Sequence, residues 1–355
     1  MKKCLGMTAL LLMMIFIGGC EKKESTEDIA VITEASQEGD MTNAIKESAQ
    51  QYAADNGYLL ATHSVAKNTP DDYMVAVKEA ADAGAQVVIG YGEEFEVPLY
   101  TMQKKYKKVK FIILDGAPRK EKGGKAKLRR NTHAIVYNEA QAGFLAGYAA
   151  VKEGYRNLGF MGGQEEESIE LYGSGFVQGA DYAASEMKLE KDAVQLRYSY
   201  MGTNEISPAI MAAAGEWFAN GCEVIFSNGG SIGTAIIKAA EQKNGKVIAS
   251  DTDQSQSSAA VVTSAVKNVN DVIYNTLGAA FDKDFPGKKQ EVMDLSNDGV
   301  GLNMDTSSFQ NFTAEDYNQI VTKIVDEELK VSEDKIKNLQ EKDGEIANIA
   351  LSFDE

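Results

Sequence analysis

Short apolar runs alternate with amphipathic stretches along most of the chain. The runs at 29–33 (IAVIT), 58–64 (YLLATHS), 86–90 (QVVIG), 110–115 (KFIILD) and 133–137 (HAIVY) have the length and β-branched content of buried strands. Between them, 41–56, 70–83 and 95–106 read as helices. Ile45, Ala49, Tyr52 and Ala53 mark one face of the first, and Pro70 suits a first helical turn. A second series starts at 158–162 (LGFMG). It runs through helix 168–187, strand 193–200, helix 206–219, strand 223–227, helix 231–243 and strand 246–250. Strand–helix alternation with uninterrupted apolar strands predicts parallel sheets covered by helices on both faces. Two such series, joined by NEAQAGFLAGYAAVKEG, predict an α/β chain of two similar lobes.

The residues just beyond each strand differ from the strands themselves. Glu34, Ala35 and Ser36 follow the first, Tyr91 and Gly92 the third, and Asp115-Gly116 the fourth. Gly162-Gly163 follow 158–161, Asn228-Gly229-Gly230 follow 223–227, and Asp251 to Gln254 follow 246–250. Ligands of open α/β sheets bind outside the carboxyl ends of the strands. Glycines let backbone N–H groups come close to a ligand, and carboxylates accept from hydroxyls or amino groups. These strand ends are therefore expected to face a ligand in a cleft between the lobes.

The first twenty residues, MKKCLGMTALLLMMIFIGGC, have another logic. Lys2 and Lys3 precede an apolar run from Leu5 to Ile17, shorter than the about 20 residues a spanning helix needs. This is a secretory signal peptide, and Ile17-Gly18-Gly19-Cys20 resembles a bacterial lipobox, with Cys20 as the acylated first mature residue. Export with one acylation motif predicts anchoring at the extracytoplasmic face of the cell membrane rather than spanning. With Cys4 removed and Cys20 acylated, Cys222 is left alone, so no internal disulfide is expected.

Composition excludes several function classes. The chain of 355 residues carries a formal charge of −17, which repels nucleic acid. Only two histidines occur, His63 and His133, both in apolar strands, and no catalytic triad, Cys/His metal spacing or P-loop is present. The glycines of GSGFVQG (173–179) fall inside a helix and do not form a dinucleotide loop. Binding without turnover is expected: no enzyme, cofactor or metal.

The ordered pieces VIGYGEEF, KFIILDG, NEAQAGFLAGYAA, LGFMGG, YGSGFVQGADY, VIFSNGGSIGTAIIKAA, VIASDTDQ and VVTSAVKNV resemble the basic membrane protein family over roughly 28–305. These are nucleoside-binding lipoproteins that serve as solute receptors of ABC importers. The resemblance implies the two-lobed type I periplasmic-binding-protein fold, with three crossovers and closure on a small-molecule ligand. It also implies a membrane permease partner. Carried over, Asp251 and Lys267 hold ribose hydroxyls, Gly230 offers backbone, Asp115 bonds the base, and Glu34 stands where the family has Asp. Gly229 and Tyr91 complete the expected set. The family's two base-stacking Phe positions fall here on Asn43 and Asn204, in GDMTNA and MGTNEI. Stacking contributes about 1–3 kcal/mol per base, so the sugar half is kept and the base half is not.

The expected division is a signal peptide at 1–19, a lipidated tether at 20–27, a first lobe at 28–137 plus about 252–283, and a second lobe at 138–251 plus about 284–330. An acidic, loosely held helical tail covers 331–355. The basic loop 119–130 reads as solvated and Trp217 as core. The expected function is capture of a nucleoside or related polyhydroxylated molecule for import. The alternatives are a receptor for a sugar or other metabolite that signals without import, and a surface enzyme that processes nucleosides.

Overall fold

The computed structural model describes residues 26–34, 39–341 and 346–354. The signal peptide, Cys20, most of the tether and Ala35-Ser36 lie outside these residues. The first half runs β1 (Ile29–Glu34), α1 (Asp40–Asn56), β2 (Leu60–Val65), α2 (Pro70–Ala83), β3 (Val87–Tyr91), α3 (Glu96–Lys105), β4 (Lys110–Leu114) and β5 (Thr132–Tyr137). After α4 (Glu139–Glu153), the second half repeats it. The order is β6 (Asn157–Gly162), α5 (Glu167–Glu186), β7 (Val194–Tyr200), α6 (Pro208–Ala219), β8 (Val224–Asn228), α7 (Ile232–Lys243), β9 (Lys246–Asp251) and β10 (Val261–Lys267). Then follow α8 (Val269–Phe281), β11 (Gln290–Met293), β12 (Val300–Leu302), α9 (Ala314–Val325), α10 (Ile336–Glu341) and β13 (Ile349–Phe353).

Among the described residues the strands form two sheets, ordered β2-β1-β3-β4-β5-β11 and β13-β7-β6-β8-β9-β10-β12. The core order is the same in both lobes. All pairings in the first sheet are parallel, and only β12, on β10, runs antiparallel in the second. The central strands are buried throughout, Val87 to Ile89 and Val224 to Phe226 being 0% exposed, as parallel strands covered on both faces must be.

Two parts of the expected division are corrected by the pairing. Residues 261–267, expected in the first lobe, form β10 in the second sheet, and β11, expected in the second lobe, pairs with β5 of the first. Of 252–283 only α8 joins the first lobe, where Ser48 Oγ donates to Asn270 O at 2.7 Å and Tyr58 stacks on Phe281 at 3.8 Å. The reason is local. In both halves the last crossover is a loop rather than a helix, so the helical signal that separates the other strands is missing. The tail is also better held than expected. Ile336 and Leu339 of α10 are buried, and β13 adds a parallel edge strand to β7. Asp354 then accepts from Trp217 Nε1 at 3.1 Å and pairs with Arg197.

The glycines of FLAGYAA and GSGFVQG have a packing role. α4 and α5 lie backbone against backbone: a Cβ at Gly147 would sit 2.0 Å from Phe176 O, and one at Gly179 1.9 Å from Phe144 O. α4 is accordingly buried nearly all round, packed on α5, β10 and β12 of the second lobe.

Candidate functional site

The chain crosses between lobes at three points, β5 to α4, β10 to α8 and β11 to β12, and the first two match. Each helix is capped by an asparagine: Asn138 Oδ1 accepts from the Gln141 N–H at 3.1 Å, and Asn268 Oδ1 from the Asp271 N–H at 3.3 Å. The caps fix the residues beside them. Glu139 begins α4, Lys267 ends β10, and the two side chains meet at 2.9 Å.

Lys267 is the centre of a buried ion cluster. Its ammonium lies 2.7 Å from Asp115 Oδ2, 2.9 Å from Glu139 Oε1 and 3.4 Å from Asp251 Oδ1, with its side chain 1% exposed. Ser168 Oγ donates to Glu139 at 3.0 Å, and Tyr172 OH to Asp251 at 3.3 Å. Burial alone would push the ammonium down, but the Asp115, Glu139 and Asp251 charges outweigh it and hold it well above its usual range. Burial raises Asp115, with Lys267 opposing, and lifts Glu139 to about 7 despite Lys267. Asp115 and Asp251 end equivalent strands of the two lobes, and both take left-handed backbone, φ 48° and 67°. Non-glycine residues rarely adopt this, although Asp tolerates it better than most.

A cavity of about 650 Å³ opens over this cluster, within the range of small-molecule sites. Glu34, Tyr91, Asp115, Asn204, Gly229, Gly230 and Asp251 all line it. Lys267 does not; it stands behind the carboxylates and orients them. Asn43 does not either. Met41 and Thr42 of α1 face the cavity, and the about 100° turn per helical residue carries Asn43 to a neighbouring groove beside Asp253 and Asn268. Asn204 is committed to bracing: its Oδ1 accepts from the Gln164 N–H at 2.8 Å, its Nδ2 donates to Glu166 at 3.3 Å, and its carbonyl accepts from the Ser231 N–H at 2.8 Å. It thereby ties the loops after β6, β7 and β8 together.

Asn228, expected at a strand end, is in the lining; sequence reasoning missed Tyr137, Glu139 and Glu166, together with Arg119 and Lys122 from the basic loop. The strand-end rule, applied to β5, would have found Glu139. The loop is exposed over most of its length, as expected, but Arg119, 27% exposed, is held 3.0 Å from Glu96, while Lys122, 75% exposed, lies 3.4 Å from Glu93. Neither histidine lines the cavity. Among the described residues, Asp115 Oδ1, Tyr137 OH and Asn228 Oδ1 are buried polar atoms of this lining without a hydrogen-bond partner. Such atoms are costly unless something fills their valences, so they point to a ligand.

The chain matches, over residues 27–335, the Bmp family, described as ABC transporter substrate-binding protein PnrA-like. It is 25% identical over 260 residues to the ABC transporter nucleoside-binding protein BmpA of Lactococcus lactis subsp. cremoris, covering 68% of this chain and 70% of that protein. It is 26% identical over 277 residues to basic membrane protein D of Borreliella burgdorferi, covering 76% and 77%. A solute-binding protein of an ABC transporter system from Aeropyrum pernix shares the architecture with a TM-score of 0.73 at 15% identity, covering 89% of this chain and 96% of that one.

Proposed function

Because this chain belongs to the Bmp family of PnrA-like ABC transporter substrate-binding proteins, whose members and fold are those of binding proteins rather than enzymes, we propose that it captures a nucleoside or related polyhydroxylated small molecule for import. The two lobes close on the ligand, and a lipid on Cys20 holds the protein at the extracytoplasmic face of the membrane. The observation that carries this reading is the cluster of Asp115, Glu139 and Asp251 around Lys267. It places two carboxylates from equivalent strand ends of opposite lobes on one cavity. Vicinal hydroxyls donate to such carboxylates, and the backbone of Gly229 and Gly230 stands beside them. A similar protein described as nucleoside-binding supports the ligand class. Among the described residues no helix is long and apolar enough to cross a membrane.

The test is a thermal-shift screen of the purified chain against adenosine, guanosine, inosine, ribose and hexoses. A ligand at a hundredfold excess over Kd adds about 2.7 kcal/mol of stability. The reading expects a nucleoside to raise the melting temperature and Asp251→Asn to abolish the rise. A sugar shifting the melt while all nucleosides fail refutes the nucleoside assignment. For the anchor, Cys20→Ser is expected to move the protein from the membrane to the soluble fraction, and its staying membrane-bound refutes lipidation.

A further inference from the structure

The cavity's side chains are unbalanced in a way that a neutral sugar or nucleoside does not answer. Among the described residues, twelve carboxylates line it, against two cationic side chains in the lining, Arg119 and Lys122, and Lys267 behind Asp115, Glu139 and Asp251. The two cations are already engaged, Arg119 with Glu96 and Lys122 with Glu93 and Glu94. Among the described residues only two aromatic side chains, Tyr91 and Tyr137, reach the lining, both from the first lobe, so no ring of the second lobe faces a flat base across the cleft.

The unpartnered buried atoms lean the same way. Asp115, with its side chain 8% exposed, presents Oδ1 with no donor, and Asn228, 2% exposed, presents Oδ1 likewise. Both are acceptors. Glu93 and Glu94 line the cavity from the first lobe and Glu166 from the second: burial raises the Glu166 carboxyl, Asn204 and Lys122 oppose the rise, and Glu93 and Glu94 add to it. Lys122, its side chain 75% exposed, offsets one of these three charges. Closing the lobes shortens the remaining like-charge distances and strips water from between them, which costs energy unless a further positive charge enters.

We propose that the ligand of this cleft carries a protonated amine, amidine or guanidinium group on its hydroxylated frame, received between Glu93 and Glu94 of one lobe and Glu166 of the other, while donors of the frame satisfy Asp115 and Asn228. The inference rests on the hydroxylated-ligand reading above and narrows it to a cationic member of that class. Charge then contributes to specificity as well as to affinity: a neutral analogue leaves the facing carboxylates unscreened on closure, so its closed state is less populated.

The experiment is calorimetric titration of the full chain with matched pairs, adenosine against 1-methyladenosine and glucose against glucosamine, with agmatine as a cation lacking the hydroxylated frame. The cationic member of at least one pair is expected to bind tenfold or more tightly than its neutral partner. That preference narrows in Glu166→Gln and with added salt. Glu94→Gln, at an exposed side chain, repeats the test should Glu166→Gln unfold, which its melting curve reveals. Neutral members binding as tightly as cationic ones overturn the charge requirement and leave the hydroxylated-ligand reading standing. Agmatine binding while every hydroxylated compound fails overturns the hydroxylated frame instead. No binding by any of the five compounds overturns the proposal.

Discussion

Replacing Lys267 by Met keeps the length of the side chain and removes the charge at the point where the lobes meet. Asp115, Glu139 and Asp251, with side chains 8%, 5% and 20% exposed, would then face one another with no cation between them. Removing one partner of a buried ion cluster costs about 3–5 kcal/mol, because the charges left behind are neither solvated nor paired. At about 2–4 °C per kcal/mol for domains of 150–250 residues, the melting temperature should fall by roughly 6–20 °C at pH 7.5. The loss has a pH signature. With Lys267 gone, its charge no longer opposes the rise that burial gives Asp115 and Glu139, so these two carboxyls take up protons more readily, and a protonated carboxyl no longer repels its neighbours. The deficit should therefore shrink as pH falls from 7.5 towards 5, and Lys267→Met with Asp115→Asn should recover part of it. Scanning calorimetry across that range measures both. A deficit that is equal at pH 5 and pH 7.5, or a drop of less than about 2 °C, would refute the claim that Lys267 holds these carboxylates together.

Other expectations follow from the same geometry. Burial lifts Glu139 to about 7 from an ordinary 4.5, so the folded state binds its proton more tightly than the unfolded chain. Its contribution is full below about pH 4.5 and falls by about 3 kcal/mol as pH rises to 7. Glu139→Gln should flatten the stability profile across that window, and an unchanged slope would count against the shift. Gly147→Ala drives a methyl to 2.0 Å from Phe176 O and should cost at least about 1–3 kcal/mol in denaturant unfolding. Gly215→Ala, in α6 with only Lys243 Cε at 3.9 Å, should instead be neutral or stabilising by up to about 1 kcal/mol. Equal effects at both sites would refute the close-packing account. Trp217 is the only tryptophan, so Asp354→Ala should change its fluorescence and lower stability by about 1–2 kcal/mol. An unaltered spectrum would mean that the tail contact is not made.

The sheets were legible because the strands from β1 to β9 are five to seven residues long and mostly apolar, and because helices separate most of them. β10 was hidden by the loss of that separator, as Val261 follows Asp251 through a nine-residue loop with no helix; the repeat of the first half was the signal that could have found it. β13 was hidden by its acidic neighbours, although IALSF is as apolar as the other strands. At the site, position along the chain was legible and direction was not. Glu34, Tyr91, Asp115, Gly229, Gly230 and Asp251 sit at strand ends, where the strand's own geometry aims them at the cavity. Asn43 sits on a helix, where one residue of offset rotates a side chain away. Lys267 was found by resemblance, but only three-dimensional packing shows that it stands behind the carboxylates. Lys122 is solvated as a basic loop ordinarily is, its side chain 75% exposed, but Arg119 is not, and the acids beside them, Glu93 and Glu96, lie more than twenty residues away in the chain.

Everything rests on two lobes presenting one surface to one ligand. Hydrogen-exchange mass spectrometry of the chain, with and without a ligand identified by the thermal screen, tests this directly. The account predicts protection on binding in segments from both lobes at once: Tyr91–Glu94 and Asp115–Ala117 from the first, and Gly163–Glu166, Asn228–Gly230 and Asp251–Gln254 from the second. Protection confined to one lobe, or falling outside these strand ends, would contradict it.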